Sequence, residues 1–400
     1  MELVRDFTTQ VALHPMVAST SGRIIRLVER DYGAPLFIGT GVVVALLWSG
    51  IGPSSYQRLT SETWLQHPGA LSSLNSSHQV IVNGLLTLFF LAIGLELSRE
   101  LRIGTLTSPT RAVPAVVAAL GGMACTALLA VLSGALTGSS ALRRGWGVPM
   151  ATDIAFTLGV LALGGRRLPH QLRLFLLTLA VADDAFAVVV LAFTGTTDMH
   201  VGGVVALVVT VLGARALARH TQHPLVGLAL FVTIWLCFVW ANIEPPLAGV
   251  VGGLAVSLGE STSLRFEQFC SRWSTGVVLP LFALVSCGVR WHALTTASGV
   301  ATIVLSMIAI RIFGKVLGIT GGVGLARLFG FRLDRSITWP LLVGGATLCA
   351  IGFTVPLLFA QRLFGTQSVT YSAITVGLLS SSVVAAVVGV GLLRAGTRTR

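Results

Sequence analysis

The sequence predicts an all-α polytopic membrane protein with about twelve transmembrane helices. Of its 400 residues, 54% are hydrophobic and only 10% are charged, whereas charged residues make up about 25% of soluble domains. Apolar runs of spanning length, about 20 residues each, recur from residue 35 to residue 394, and short arginine clusters separate them. These observations exclude a soluble globular enzyme.

The apolar runs divide the chain into three regions. A polar segment, 1–34, precedes the transmembrane domain, 35–394, and a short tail, 395–400, follows it. The longest loop, about 52–78, is rich in Ser, Gly and Pro. The predicted helices are 35–51, 79–97, 112–133, 146–164, 172–194, 201–217, 224–242, 245–259, 275–290, 298–324, 337–361 and 370–394.

The arginines predict the orientation of these helices. If the N-terminus is cytoplasmic, 20 arginines fall in cytoplasmic segments and 5 in external loops, which is the bias that membrane proteins show. Both termini are therefore expected in the cytoplasm. The net charge of +12 then largely reflects membrane topology. The sequence has no stripe of basic residues interleaved with aromatic residues, the pattern that would indicate nucleic-acid binding. The five scattered cysteines show no metal-ligand spacing, and we expect no cofactor.

Five charged residues lie at membrane depth, away from the ends of the predicted spans: Asp153, Asp183, Asp184, Arg311 and Lys315. A charge at the bilayer centre costs about 2.5–3.5 kcal/mol on the insertion scale. These residues must therefore pair, face a water-filled cavity or stay neutral. An ionisable residue inside a membrane is a functional hypothesis by default.

Two of the predicted helices contain signals of interruption. Asp153 lies in a run with glycines near both ends and a proline, and a second such run occupies 344–357. Interrupted helices in corresponding positions are typical of transporter binding sites, because they expose carbonyl groups to a cation. Facing helix ends need compensating charges, and Asp153 and Lys315 have suitable signs. Close helix packing through glycine would explain the same pattern without any site.

The adjacent carboxylates Asp183 and Asp184 can line one cavity. Neighbouring carboxylates at low dielectric disfavour double ionisation, so that one of them can carry a proton. A hard cation such as sodium prefers oxygen ligands, and the hydroxyl of Thr152 could join them. Competition of protons and sodium for these oxygens would produce exchange. A solvated pair between helices, without any transport role, is the alternative.

Lys315 is the only lysine among 27 basic residues. Lysine, unlike arginine, can give up its proton when it is buried. A buried pair of Lys315 and Asp183 could thus be both a salt bridge and a proton carrier; snorkelling to the membrane surface is the alternative. Arg311 lies one helical turn earlier, and its candidate partners are Glu244 and Glu96.

Several stretches resemble the NhaA-type sodium/proton antiporters. They are GWGVPMATDIAFTLGVLALGGRRLP at 145–169, LRLFLLTLAVADDAFAVVVLAF at 172–193, LFFLAIGLELSRELRIGTL at 88–106 and CAIGFTVPLLFA at 349–360. The resemblance implies inverted repeats with two crossing broken helices, the fourth and the eleventh.

The resemblance also implies roles for individual residues. Asp184 matches the principal sodium-binding carboxylate, and Asp183 matches the carboxylate that pairs with Lys315 and takes part in proton exchange. Thr152 and Asp153 match the pair that supports the break of the fourth helix.

The resemblance extends to the cytoplasmic surface and to assembly. Glu96 matches a glutamate near the cytoplasmic proton entrance, and Glu267 lies in a stretch associated with pH sensing. The family is usually dimeric through an extension in the first long external loop, here 52–78, so a homodimer is expected.

The chain departs from the family pattern at several positions. Residues 242–246 read NIEPP, where a Gly-Val-His-Ala-Thr run is usual, and Gln268 and Ser271 replace common histidines. Arg311 replaces an apolar residue, and Ser286 replaces an asparagine. We expect these changes to affect pH regulation and ion preference, while the exchange site is intact.

The expected function is electrogenic exchange of cytoplasmic sodium (or lithium) for external protons, in a bacterial cytoplasmic membrane, for pH and sodium homeostasis. Alternatives are a sodium-coupled solute symporter of related fold and an intramembrane aspartyl protease with Asp153 and Asp183 as its dyad. The Tyr-Asp and Gly-x-Gly-Asp signatures of such proteases are absent. A channel would need a ring of charges that this chain does not show.

Overall fold

The computed structural model describes residues 33–63, 74–163, 168–194, 200–217, 224–255 and 260–398. These residues are mostly helical. They contain no β-strand, only an isolated antiparallel bridge between Thr63 and Ser76. The predicted all-α fold class is confirmed. Most of the predicted N-terminal segment, 1–34, lies outside the described residues, as does the middle of loop 52–78.

Seventeen helices occur in the described residues, and short π-helical turns lie within α3, at Val80–Leu85, and between α11 and α12, at Ser274–Val278. The helices are α1 (Gly33–Ile51), α2 (Pro53–Ser61), α3 (Ser77–Arg102), α4 (Pro109–Leu136), α5 (Ser140–Arg144), α6 (Ile154–Leu163), α7 (His170–Thr194), α8 (Val201–Leu217), α9 (Pro224–Trp240), α10 (Leu247–Ala255), α11 (Glu260–Trp273), α12 (Leu279–Ser286), α13 (Trp291–Thr296), α14 (Val300–Leu328), α15 (Trp339–Leu348), α16 (Thr354–Phe364) and α17 (Val369–Arg398).

Each of the twelve predicted segments contains helix, and the structure departs most from the prediction in three of them. The segment predicted at 146–164 is helical only from residue 154, after turns and other non-helical residues at 145–153, and the segment predicted at 337–361 is interrupted by non-helical residues at 349–353. The helix predicted to begin at residue 275 is preceded by α11, whose residues are polar on average. An apolar window misses such an amphipathic extension because only one face of it is buried.

Six helices of the described chain are long and apolar enough to cross a membrane. They are Ser77–Arg102, Pro109–Leu136, His170–Thr194, Leu264–Ser286, Val300–Leu328 and Val369–Thr397. Four shorter apolar helices accompany them, and one of these, Trp339–Leu348, is part of an interrupted segment. The number of twelve spans stays a prediction.

The helices pack in two groups. In one group α14 packs against α4, α15 and α17, and α7 packs against α4. In the other group α3 packs against α10 and α11, α8 and α9 pack against α10, and α1 packs against α12. Asp183, Asp184, Arg311 and Lys315 lie on helices of the first group, and Asp153 lies in the break before α6.

Glycines allow α4 and α14 to approach closely. A Cβ atom on Gly121 would overlap the carbonyl oxygen of Gly318, and one on Gly318 would overlap that of Gly121. Glycine is the residue that permits such contact between membrane helices. One turn before Gly318, the stem of Lys315 lies against Gly122. The close packing therefore buries the lysine between the two helices.

Candidate ion-binding site

An ion pair of Lys315 and Asp183 lies at the centre of the first helix group. The Nζ atom of Lys315, on α14, is 2.8 Å from Oδ2 of Asp183, on α7. Both side chains are fully buried, at 1% and 0% exposure. A buried pair of this kind is strongly destabilised when one partner is removed, because the other charge is left uncompensated.

Two carboxylate oxygens beside this pair lack hydrogen bonds. Oδ1 of Asp183 and Oδ1 of Asp184 are buried and have no hydrogen-bond partner within the described residues. Buried polar atoms are normally satisfied, so two such oxygens on adjacent residues require an explanation. Oxygen is the ligand that hard cations prefer. This donor set suits a small monovalent cation or a proton.

The described chain contains no group of three or more His, Cys, Asp and Glu side chains that could hold a metal ion. A sodium ion at Asp183 and Asp184 would therefore complete its coordination with oxygens of other kinds, such as hydroxyl groups, carbonyl groups or water. This requirement makes the two nearby helix breaks relevant to the site.

The first break carries Asp153 between two helix N-termini. Its Oδ2 accepts a hydrogen bond from Oγ1 of Thr354, the first residue of α16, at 2.7 Å. Its Oδ1 accepts a long one from the backbone amide of Phe156, in the first turn of α6, at 3.5 Å. A carboxylate is favourable at this end of a helix, where the dipole is positive. Asp153 thus lies where α6 and α16 both begin.

The two breaks are bonded directly to each other. The backbone amide of Asp153 donates to the carbonyl oxygen of Ile351 at 2.9 Å. Oγ1 of Thr152 donates to the carbonyl of Cys349 at 2.8 Å, and Oγ1 of Thr157 donates to that of Leu348 at 3.3 Å. The interruptions expected near 146–160 and 344–357 therefore lie together.

Arg311 is the cation that contacts the backbone of both breaks. Its guanidinium, on α14, is fully buried. It donates two hydrogen bonds to the carbonyl of Ala350, at 2.9 and 3.0 Å, and one to that of Ala151, at 3.2 Å. The sequence had suggested Lys315 for the compensation of helix ends, but the hydrogen bond of Lys315 goes to Asp183.

The prediction that Glu244 or Glu96 is the partner of Arg311 was wrong. The carboxylate of Glu244 instead lies 3.2 Å from Nε of Arg362, at the end of α16. Burial raises the pKa of Glu244, and the charge of Arg362 partly offsets that effect. Glu96 is half-buried on α3, near Arg99, Glu100 and Glu267.

Sequence reasoning missed Glu100, which is buried at the end of α3. Its Oε2 accepts hydrogen bonds from the amide and the hydroxyl of Thr105, at 2.8 and 2.9 Å. The signal was the spacing of four residues from Glu96, which places both carboxylates on one helix face. Next to it, Nε of Arg99 lies 3.2 Å from both carboxylate oxygens of Glu267.

A cavity of about 410 Å³ opens at the same end of the molecule. Thr105 and Thr178 line it, and their hydroxyl oxygens are 2.7 Å apart. Arg111, His170 and Arg332 also line it. Thr178 lies on α7, five residues before Asp183, which is about 7.5 Å along a helix axis.

Comparisons with known proteins agree with the resemblance in the sequence. The sequence profile of the family described as Na⁺/H⁺ antiporter 1 matches residues 26–393. The Na⁺/H⁺ antiporter NhaA 1 of Kineococcus radiotolerans is 34% identical over 93% of this chain and 89% of its own length. The antiporter NhaA of Serratia proteamaculans is 38% identical over 78% of this chain and 82% of its own. That of Albidiferax ferrireducens is 32% identical over 96% of this chain and 100% of its own.

Proposed function

We propose an ion path for this chain, which belongs to the Na⁺/H⁺ antiporter 1 family and is therefore a multi-pass membrane protein that exchanges sodium ions for protons. It is a transporter and not an enzyme. The family membership does not favour the symporter, and it leaves no support for the protease.

Sodium is bound by Asp184, with Asp183 beside it. The observation that carries this proposal is the pair of buried Oδ1 atoms that have no hydrogen-bond partner within the described residues. A bound cation and a bound proton would each satisfy these oxygens, but not at the same time. Because the two compete for the same atoms, a site that opens to one side at a time exchanges one for the other.

Lys315 and Asp183 carry a proton of the cycle. When sodium neutralises the carboxylates, the attraction that holds the ammonium at 2.8 Å weakens. The buried lysine can then release its proton, which arginine could not do. Proton release from Lys315 and from the carboxylates together makes exchange electrogenic, with more protons entering than sodium ions leaving.

The helix breaks hold this site in shape. Asp153 balances the positive ends of α6 and α16, and Thr152 ties the two breaks together through the carbonyl of Cys349. Thr152 also keeps hydroxyl lone pairs with which sodium could be coordinated.

The rest of the path lies at the surface. We propose that Glu96 lines the cytoplasmic entrance and that Glu267 takes part in pH sensing. Both termini lie in the cytoplasm of a bacterial cell whose inner membrane holds the chain, and the protein acts as a homodimer. No cofactor is required, and lithium substitutes for sodium.

Everted membrane vesicles test the function. Vesicles that contain the chain and have built a proton gradient should lose part of it when sodium is added, and vesicles without the chain should not. Purified protein should bind sodium with release of protons, so its apparent sodium affinity should fall as the pH is lowered. A chain without any sodium response from about pH 6 to pH 9 would contradict the proposal.

A further inference from the structure

Arg311 is a buried cation that the exchange path leaves without a role. The side chain is 0% exposed, and within the described residues its hydrogen bonds go to backbone carbonyls and to no carboxylate. Asp183 and Asp153 interact with it only at longer range. Burial of a guanidinium without a hydrogen-bonded carboxylate is costly, so the carbonyl groups must supply much of the compensation.

The carbonyl groups belong to the ends of helical segments. Ala350 follows α15 by two residues, and Ala151 follows the series of turns that continues from α5. The end of a helix carries about −0.5 of an elementary charge, located on carbonyls without an internal partner. A full positive charge between two such ends balances them. Arg311 therefore does for the carbonyl ends what Asp153 does for the amide ends.

The hydrogen bonds of Arg311 also occupy the carbonyl oxygens. The oxygen of Ala350 accepts two of them, which uses both of its lone pairs. The neighbouring carbonyls of Cys349 and Ile351 accept from Thr152 and from the amide of Asp153. Every carbonyl from 349 to 351 thus accepts a hydrogen bond already.

We propose that Arg311 is a permanent counter-charge that holds the two helix breaks together and excludes the carbonyls of Ala151 and Ala350 from the sodium ligands. Sodium is then bound by side-chain oxygens, and Lys315 serves Asp183 alone. The claim about sodium ligands rests on the proposed function, whereas the claim that Arg311 holds the two breaks together concerns only the structure. Arg311 is a positioning residue that also determines how tightly the cation is held.

The shape of the guanidinium explains why a lysine would not replace it. The planar fork reaches two carbonyls with donors fixed relative to one another, and a flexible ammonium has no such geometry. Gly352 provides the space. A Cβ atom added there would lie 2.7 Å from Nη2 of Arg311 and 2.9 Å from the carbonyl oxygen of Ala151.

The test compares Arg311→Leu, Arg311→Lys and Gly352→Ala with the matched control Arg362→Leu, which removes a partly exposed arginine (31% side-chain exposure). Thermal unfolding and sodium-dependent exchange are measured in proteoliposomes. Arg311→Leu should lower the melting temperature more than the control does. It should also lower the KM for sodium by about tenfold, equivalent to about 1.4 kcal/mol, because a repelling charge is removed and carbonyls are freed.

The outcomes separate the possibilities. Arg311→Lys keeps the positive charge but loses the planar fork, so it should not restore the melting temperature and should restore the KM only in part. Gly352→Ala should reproduce both effects of Arg311→Leu in weaker form, which keeps the test valid if Arg311→Leu does not fold. A lowered melting temperature with an unchanged KM in both variants would overturn the claim about ligands. A melting temperature and KM equal to those of the wild type would overturn the whole inference. Failure of the wild type to exchange sodium would instead refute the proposed function.

Discussion

Two clusters of charged residues in this chain contain the same kinds of groups but differ in their surroundings. The interior cluster (Asp183, Asp184, Arg311 and Lys315) is 0–3% exposed. In the end cluster (Glu96, Arg99, Glu100 and Glu267), the side chain of Arg99 is 30% exposed and that of Glu267 15%. Water reaches Arg99 and Glu267 in the end cluster but no member of the interior cluster. Each interior charge therefore needs a defined partner, and a change there should have a much larger effect.

The two interior cations also differ from each other. Lys315 and Arg311 lie one turn apart on α14, yet one bonds a carboxylate and the other bonds backbone carbonyls. Lys315, which can lose its proton, lies at the carboxylates whose charge changes during exchange. Arg311, which keeps its charge, lies at helix ends whose dipoles do not change. The chain thus separates proton transfer from support of the breaks.

The largest effect is expected from Asp184→Asn. An amide keeps the shape of the carboxylate but removes its charge, so neither sodium nor a proton is bound as before. Exchange should fall at least about 100-fold, since a hydrogen-bonded or coordinated charged group contributes about 3 kcal/mol or more. Sodium-dependent loss of a proton gradient in vesicles measures it.

The control for that variant is Glu62→Gln, which removes the charge of an exposed acid outside the cavity. This substitution should leave exchange intact. Full activity of Asp184→Asn would show that the sodium site lies elsewhere.

The next effect concerns Lys315. Lys315→Gln leaves Asp183 buried without its cation, and the free energy of unfolding should drop by about 3–5 kcal/mol. Lys315→Arg should keep much of the stability and lose exchange, because arginine holds its proton. Thermal unfolding and vesicle transport, measured on both variants, distinguish the roles, and a fully active Lys315→Arg would contradict proton release at this position.

A small effect is expected in the end cluster. Glu267→Gln breaks a partly exposed pair with Arg99, worth about 0–1 kcal/mol. Exchange at its optimum should stay within about fivefold of the wild type, with a change confined to its pH profile. An exposed acid, Glu62→Gln, is the control. Complete loss of exchange in Glu267→Gln would place the end cluster inside the essential machinery.

The smallest effect is the pH dependence of stability from Glu244. Burial raises its pKa above the ordinary value of 4.5, so the folded state favours the neutral acid. Its favourable contribution is present below pH 4.5 and is lost as the pH rises through the folded pKa. Relative to Glu244→Gln, the wild type should therefore gain stability on acidification. Melting temperatures of both proteins from pH 7 to pH 4 test this, and the opposite trend would contradict it.

The sequence predicted the helices well because bilayer thickness fixes their length and composition. The helix predicted at 201–217 has those bounds in the structure. The breaks were located because glycines mark both of them and a carboxylate, Asp153, marks the first. The partners of Arg311 could not be predicted, since every residue has a carbonyl group and only the fold determines which ones are exposed. Glu100 was missed because a charge at a helix end has an ordinary explanation.

The single lysine makes the interior of this protein chemically addressable. Apart from a terminal amine, the ε-amine of Lys315 is the only primary amine in the 400 residues. Acylating reagents can therefore modify one internal position, without mutagenesis, and mass spectrometry can count the product. Because the amine is buried between α4, α7 and α14, the rate of labelling reports how often the site opens to water. The effects of sodium, pH and membrane voltage on this opening can each be measured from the labelling rate.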